Sequence, residues 1–199
     1  NWGAYTIEIN TLTACTYHKN ITFFKVNRDL MGPIGEKIAD EFIHPKPPGH
    51  FLVMMETAKA LGLSEEEVFT SSMLSEFRGK IDFMRGIVYE GSAAEWYAAV
   101  TTEEQIGHWS AACYKALTSH YGFDRAKATY FATHVEADLE EHEEGIMGHA
   151  SFNRMALQRL LETGMAEERP TYGLEYCAMT SVDLHGAMLR SAMEEAERG

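Results

Sequence analysis

The sequence predicts an all-α protein, a helical bundle of about seven helices, and three observations support this fold class. From about residue 28 onward, apolar residues recur with the 3.6-residue period of an α-helix. Helix start and stop signals separate these periodic stretches, and nothing after the first 20 residues resembles a strand ladder. With 199 residues, 45% of them apolar, the chain can bury one sizeable core. We therefore expect a single domain over residues 1–199.

The sequence signals for secondary structure are weak in the N-terminal segment and clear from about residue 50 onward. The Thr, Ile and Tyr residues of the first 20 positions favour an extended chain, so we expect an irregular or incomplete segment over about residues 1–25. Gly62 stands where a helix over residues 50–61 would stop, and that helix has an apolar stripe of Phe51, Met54, Met55, Ala58 and Leu61. Ser64 and Glu67 have the spacing of a capping box, which begins another turn.

Five further helices are predicted, over about residues 70–88, 93–119, 124–144, 147–163 and 176–197. The buried side of the second of these is marked by Trp96, Ala99, Ile106, Cys113 and Leu117. Asp124 can cap the third, and Gly145 can bend it.

Charge and composition exclude several functions. The formal charge is -13, from 30 acidic and 17 basic residues, which disfavours nucleic acid and anionic membranes as partners. No apolar run approaches the roughly 20 residues that span a bilayer. Three widely spaced cysteines, Cys15, Cys113 and Cys177, fit a reducing compartment. We expect a cytoplasmic protein that acts on a small-molecule substrate. A homodimer is one option for its oligomeric state. Because the chain lacks an initiator Met, N-terminal residues can be missing.

A carboxylate interrupts the apolar side of the 93–119 helix. Steps of three and four residues lead from Ala99 to Glu103 and then to Ile106. Because a buried, unpaired carboxylate is costly, Glu103 must be neutral, paired or bound to metal. Glu104 falls on the flank of the same helix, where water can solvate it.

Two histidines and an aspartate follow a four-residue spacing in "ATHVEADLEEHEEG". His134, Asp138 and His142 continue a stripe that begins at Phe131, so their side chains can converge. Imidazole and carboxylate groups are ligands that iron, manganese and zinc accept. The competing interpretation is that these residues form a solvated acidic helix face. Because Glu103 lies on the apolar side of another helix, we give a metal site and a solvated face about equal weight.

A third group of candidate ligands lies in "GEKIADEFIHPKPPGHF". Glu41 and His44 form Glu-x-x-His, but the chain has no second such pair, which a ferritin-like bundle would need. His44 also precedes Pro45, which disfavours a helical backbone at that residue. We therefore prefer Glu41 and His50, where His50 opens the next helix.

The remaining candidates have ordinary structural interpretations. His108, His149 and His185 belong to no ligand pattern, so we interpret them as structural. Cys113 could be a nucleophile, but no adjacent base is identifiable and packing is the better interpretation.

Three stretches together resemble the haem-oxygenase-like di-iron oxidases and oxygenases, relatives of thiaminase II and of pyrroloquinoline-quinone synthase. They are "IADEF" followed by "HFLVMMETAKALGL", "TTEEQIGHW" with "ALTSHYGF", and "YFATHVEADLEEH". Their order agrees with that family, and they cover about residues 37–145. The resemblance implies a haem-oxygenase-like helical bundle.

The resemblance also implies a metal site and a reaction. Carried over by position, the metal ligands would be Glu41, His50, Glu103, His134, Asp138 and His142, with His44, Glu104 and Glu141 as alternatives. They would hold two Fe(II) ions, with manganese as the other option and O2 as co-substrate. Family members of this type carry out N-oxygenation, desaturation or oxidative carbon-carbon cleavage. We therefore expect a non-haem di-iron enzyme acting on an amino-acid-derived or carboxylate-bearing metabolite in natural product biosynthesis.

The substrate pocket and the alternative functions complete the expectations. Aromatic residues near the ligand helices can line the pocket: Tyr97, Trp109, Tyr130 and Phe131. One alternative function is a ferritin-like iron-binding protein. Another is a metal-free thiaminase-like hydrolase or binding module, which would leave the converging histidines unexplained.

Overall fold

The computed structural model describes residues 2–44, 49–139, 148–166 and 172–198, which are helical with no strand. The α-helices are α1 Trp2–Lys19, α2 Ile21–Val26, α3 Met31–Phe42, α4 His50–Ala60, α5 Glu65–Thr70, α6 Ser75–Glu90, α7 Ala93–Ala99, α8 Glu103–His120, α9 Thr129–Leu139, α10 His149–Glu162 and α11 Leu174–Arg198. Short 3-10 helices cover Arg28–Leu30 and Val100–Thr102. The all-α prediction is confirmed, and the helices exceed the predicted seven because several are short. In the described part of the chain, none of these helices combines the length and apolar character needed to cross a membrane.

The N-terminal segment is a regular helix, so the expectation of an irregular or extended stretch over about residues 1–25 is wrong. α1 packs against α6 and α4 and buries Tyr5 and Leu12. The hydroxyls of Thr6 and Thr16 each donate to the backbone carbonyl four residues earlier. Burial and these local hydrogen bonds outweigh the weak strand preference of the β-branched residues.

The helix predicted over 93–119 is divided in two. A capping box of Ser92 and Glu95 begins α7, which ends at Ala99. Three consecutive β-branched residues then form the 3-10 helix Val100–Thr102. As a result Glu103 is the first residue of α8, and its carboxylate lies at a helix end rather than within a continuous apolar stripe.

Elsewhere the predicted capping box holds, but two helices begin about five residues later than predicted, α6 at Ser75 and α9 at Thr129. Ser64 and Glu67 form the expected capping box at the start of α5. The Asp124 side chain accepts a hydrogen bond from the backbone N–H of Lys127 at 2.9 Å, but this stabilises a turn, and α9 begins only at Thr129.

The main core surrounds α7, which packs between α10 and α11. Its largest fully buried side chains include Phe24, Tyr97, Phe152 and Leu160. At one side of this core α9 packs against α4, α8 and α10, and α3 packs against α4 and α10. The candidate ligands come from these five helices.

A buried lysine connects α6 with α11. Lys80 is 2% exposed, and its ammonium group donates to the backbone carbonyl of Ser181 at 2.9 Å and to the Ser181 hydroxyl. That hydroxyl donates to the carbonyl of Ala99 at 2.6 Å. Burial lowers the pKa of Lys80 to about 7, although Glu103 acts in the opposite direction.

We expect Lys80 to make the protein less stable as the pH falls from about 10.5 to about 7. Over this range the unfolded chain binds the lysine proton and the folded chain does not, so the free energy of unfolding decreases; below it the effect levels off. Lys80→Met should remove this slope, whereas Lys115→Met, on the exposed surface of α8, should keep it. Urea unfolding between pH 7 and pH 10 measures the difference, and equal slopes in both variants would contradict the prediction.

Candidate metal centre

Glu41 and His50 meet where α3 ends and α4 begins. The Nδ1 atom of His50 lies 3.2 Å from a carboxylate oxygen of Glu41, and both side chains are largely buried. His44 is exposed. Of the two histidines that the sequence left open, the structure therefore brings His50 to Glu41 and leaves His44 at the surface.

Gly49 makes this approach geometrically feasible. Its φ is 72°, in the left-handed region that favours glycine. A Cβ atom at Gly49 would lie 2.5 Å from the backbone carbonyl carbon and oxygen of Glu41. The start of α4 can therefore contact the last turn of α3 only with glycine at this position.

Replacing Gly49 by alanine should destabilise the protein by about 1–3 kcal/mol, through backbone strain, and should displace His50 from Glu41. Urea unfolding and iron content measure the two effects. Gly62→Ala is the matched control, because Gly62 also has a positive φ, 87°, but no atom within 4 Å of a Cβ. Normal iron content in Gly49→Ala would show that the close contact does not position His50.

α9 contributes His134 and Asp138, one turn apart on the same face. The Nδ1 atom of His134 lies 3.0 Å from the carbonyl oxygen of Tyr130, which can only accept, so Nδ1 carries the proton and Nε2 keeps its lone pair. Burial, with His50 nearby, lowers the pKa of His134 to about 4, which keeps the ring neutral. The ring centroids of His50 and His134 are 4.5 Å apart. The predicted ligand His142 and its alternative Glu141 lie outside the described residues.

Glu103 is held by two partners that the sequence analysis did not single out. Its carboxylate accepts from the side-chain amide of Asn153 at 2.6 Å and pairs with the ammonium group of Lys37. Lys37 is 1% exposed. Glu104 instead pairs with Arg154, with 47% of its side chain exposed, so it lies away from the site.

His149 lies among the acidic residues, although the sequence indicated only a structural role. Its Nε2 atom is 3.0 Å from Asp40, and its Nδ1 atom is 3.3 Å from Asp138. Burial opposes the charged ring, but the two carboxylates outweigh it and raise the pKa of His149 to about 9. The one sequence signal was the four-residue spacing of His149 and Asn153, which places both on one face of α10.

These side chains fit a metal site. A cavity of about 70 Å³ is lined by six of them, namely Glu41, His50, Glu103, His134, Asp138 and His149. Among the described residues, a buried oxygen of Asp138 has no hydrogen-bond partner, and the contact between Nδ1 of His50 and the Glu41 carboxylate lacks the geometry of a full hydrogen bond. Such atoms are costly without a partner, and imidazole and carboxylate groups are the ligands that iron, manganese and zinc accept. Although burial disfavours its charge, the surrounding histidines lower the pKa of Glu41 to about 2, so it is ionised.

The predicted pocket aromatics are divided among three places. Tyr130 lines the cavity of the candidate ligands, and its ring lies 4.2 Å from that of His134. Trp109 and Phe131 line a separate groove. Tyr97 packs on Phe152 in the core and lines neither of these cavities in the described part of the chain.

Fold and site together define an all-α protein with a buried centre of histidines and carboxylates. Residues 24–176 match the model of the family described as iron-containing redox enzymes. The chain belongs to this family, which confirms the resemblance to haem-oxygenase-like iron proteins. A search of curated proteins found no match.

Proposed function

We propose that the protein is a non-haem di-iron oxidoreductase that uses O2 to oxidise a small amino-acid-derived or carboxylate-bearing metabolite in natural product biosynthesis. The observation that carries this proposal is the convergence of buried histidine and carboxylate side chains from five helices in one cavity, where an oxygen of Asp138 has no hydrogen-bond partner. Family membership supports iron as the metal.

The grouping of the ligands supports two metal positions rather than one. Glu41, His50 and His134 form one group, linked by the 3.2 Å contact and the 4.5 Å ring separation. Glu103, Asp138 and His149 form a second group, whose ligand atoms all lie within 4.8 Å of one another. Each group offers imidazole and carboxylate together, and both line the same cavity, although His149 must release a proton before it can bind a metal. Two Fe(II) ions bound there would supply the electrons with which O2 is reduced; manganese accepts the same ligands.

The protein's own contribution is to orient the ligands. The carbonyl of Tyr130 fixes the tautomer of His134, and Asp40 faces Nε2 of His149, whose Nδ1 faces Asp138. Such partners orient metal-binding histidines and increase their basicity. Lys37 and Asn153 hold the carboxylate of Glu103 in position.

The alternative functions have less support. Ferritin-like storage would use Glu41 and His44, but His44 is exposed. A thiaminase-like hydrolase would need a reactive thiolate, yet burial raises the pKa of the Cys113 thiol to about 11. At neutral pH this cysteine is protonated and a poor nucleophile.

Anaerobic titration with Fe(II), followed by exposure to O2, tests the proposal. We expect about two irons per chain, by elemental analysis, and O2 uptake that depends on the bound iron. Less than one iron per chain, or no O2 uptake by the loaded protein, would contradict it. Gel filtration separates the enzyme from a storage protein, because a large symmetric shell would indicate ferritin-like assembly.

A further inference from the structure

The helix α1 contributes none of the candidate metal ligands, yet it forms much of the wall of their cavity. Six of its residues line this cavity, namely Trp2, Tyr5, Thr6, Ile9, Asn10 and Thr13. They follow one another at steps of one and three residues, which places them on one face of the helix. A helix face that is turned to the interior normally carries apolar side chains. Three of these six are instead the polar residues Thr6, Asn10 and Thr13.

Asn10 has an unused hydrogen-bond donor in this wall. Its side-chain amide nitrogen is buried and has no hydrogen-bond partner in the described part of the chain. By contrast, the hydroxyl of Thr6 donates to the backbone carbonyl of Trp2 at 2.9 Å, and the hydroxyl of Tyr130 accepts from the indole N–H of Trp2 at 2.8 Å. Apart from the candidate ligands, Asn10 is the only residue of the described cavity lining with such an atom.

The fold gains nothing from asparagine at this position. A buried donor without a partner costs stability, and asparagine is a poor helix former in the middle of α1. A residue that breaks two local rules without a compensating contact indicates a functional role. Because Asn10 lines the same cavity as the candidate ligands, a group that binds its amide lies beside those ligands.

The charges of the cavity favour a neutral partner for Asn10. The described lining contains the carboxylates of Glu41, Glu103 and Asp138 but no lysine or arginine. A further carboxylate would have to be desolvated beside these three, opposite an uncharged amide, which is costly. A carbonyl or hydroxyl oxygen can accept from the amide without bringing in a charge. The cavity volume of about 70 Å³ also limits this group to the size of a few water molecules.

Building on the proposed function, we propose that α1 carries a substrate-recognition site in which the side-chain amide of Asn10 donates a hydrogen bond to a neutral oxygen of the substrate. This oxygen belongs to a carbonyl or hydroxyl group close to the reacting atom. The hydrogen bond orients that group and so determines which of its atoms faces the metal ligands. A substrate without such an oxygen is rejected, because the amide would stay unpartnered in the complex.

Two probes of the same shape test the hydrogen bond. Acetone has an acceptor oxygen, and isobutene has a CH2 group in its place. NMR titration of the iron-free full chain gives both dissociation constants, for the unmodified protein and for Asn10→Leu. The ratio of the two affinities cancels the general effects of the variant. This ratio should shift about tenfold toward isobutene in Asn10→Leu, the effect of one buried hydrogen bond, and an unchanged ratio would overturn the proposal.

Acetate has the same shape as acetone and tests the neutral character of the recognised group. At pH 7 it should bind the iron-free chain about tenfold more weakly than acetone, because it brings a charge into a cavity that already holds carboxylates. Acetate that binds more tightly than acetone, and loses this advantage in Asn10→Leu, would assign the site to carboxylates and overturn the proposal.

Asn20 is the matched control for a structural role. It is half-buried like Asn10, but its side-chain amide donates to the backbone carbonyl of Thr16 at 2.9 Å. Asn20→Leu should raise the unfolding constant about fivefold, because it removes this hydrogen bond, and should leave the affinity ratio unchanged. Asn10→Leu should leave the unfolding constant unchanged or lower it. If urea unfolded Asn10→Leu as easily as Asn20→Leu, Asn10 would be a structural residue and the proposal would fail.

Iron content separates this inference from the di-iron proposal. Asn10 is not among the candidate ligands, so Asn10→Leu should load iron as the unmodified protein does. Normal iron loading with an unchanged affinity ratio would overturn the recognition site alone. A shifted ratio in a chain that binds less than one iron would overturn the di-iron proposal alone.

Discussion

Replacing Glu103 by alanine should destabilise the protein by about 3–5 kcal/mol, because it leaves a buried ammonium group without its counter-charge. It should also abolish binding of at least one iron, because it removes a proposed metal ligand. Lys37 is 1% exposed, and its other partner is the neutral side-chain oxygen of Asn153 at 3.3 Å. Asn153 would also lose its carboxylate acceptor. Urea unfolding measures the stability, and elemental analysis measures the iron.

Two further variants separate stability from metal binding. Glu103→Ala combined with Lys37→Met should recover most of the lost stability, since no buried charge is left unpaired, but it should not recover the iron. Glu104→Ala removes the neighbouring carboxylate, whose surface pair with Arg154 contributes at most about 1 kcal/mol. If Glu103→Ala were as stable as Glu104→Ala, the Lys37–Glu103 pair would have no role in the fold.

Replacing His134 by alanine should lower the affinity for Fe(II) at least about 100-fold, since even changes to residues behind the ligands cost 10–100-fold. The ring is neutral and its tautomer is fixed, so its Nε2 lone pair is available without release of a proton. Competition with a chromophoric iron chelator measures the affinity.

The matched control is His108→Ala, because His108 is exposed on α8. It should bind iron as the unmodified protein does, and near-ultraviolet circular dichroism should show that both variants keep their packing. Full iron content in His134→Ala would remove His134 from the proposed ligands.

Features that depend on local spacing were predictable from the sequence. The capping box of Ser64 and Glu67 was visible, because both partners lie within one helical turn. The four-residue spacing placed His134 and Asp138 on one face, and the apolar stripe marked Glu103 as a carboxylate with an unusual environment. The structure brings all three to one cavity.

Features that depend on contacts between distant helices were not predictable. Lys37 and His149 are buried cations whose partners lie on other helices, at Glu103 and Asp138, and no spacing links them. The helical state of α1 comes from its packing on α6 and α4, against the local preference of its residues. The sequence of one protein does not show directly which residues of different helices contact one another.

The pairing of Lys37 with Glu103 affects the order in which the protein folds and binds metal. The buried negative charges of Glu103 and Asp138 are compensated by two cations of the same chain, Lys37 and His149. Folding therefore needs no ion from outside to neutralise Glu103 and Asp138. We therefore expect the chain to fold before it binds iron, and iron binding to release the proton that His149 holds.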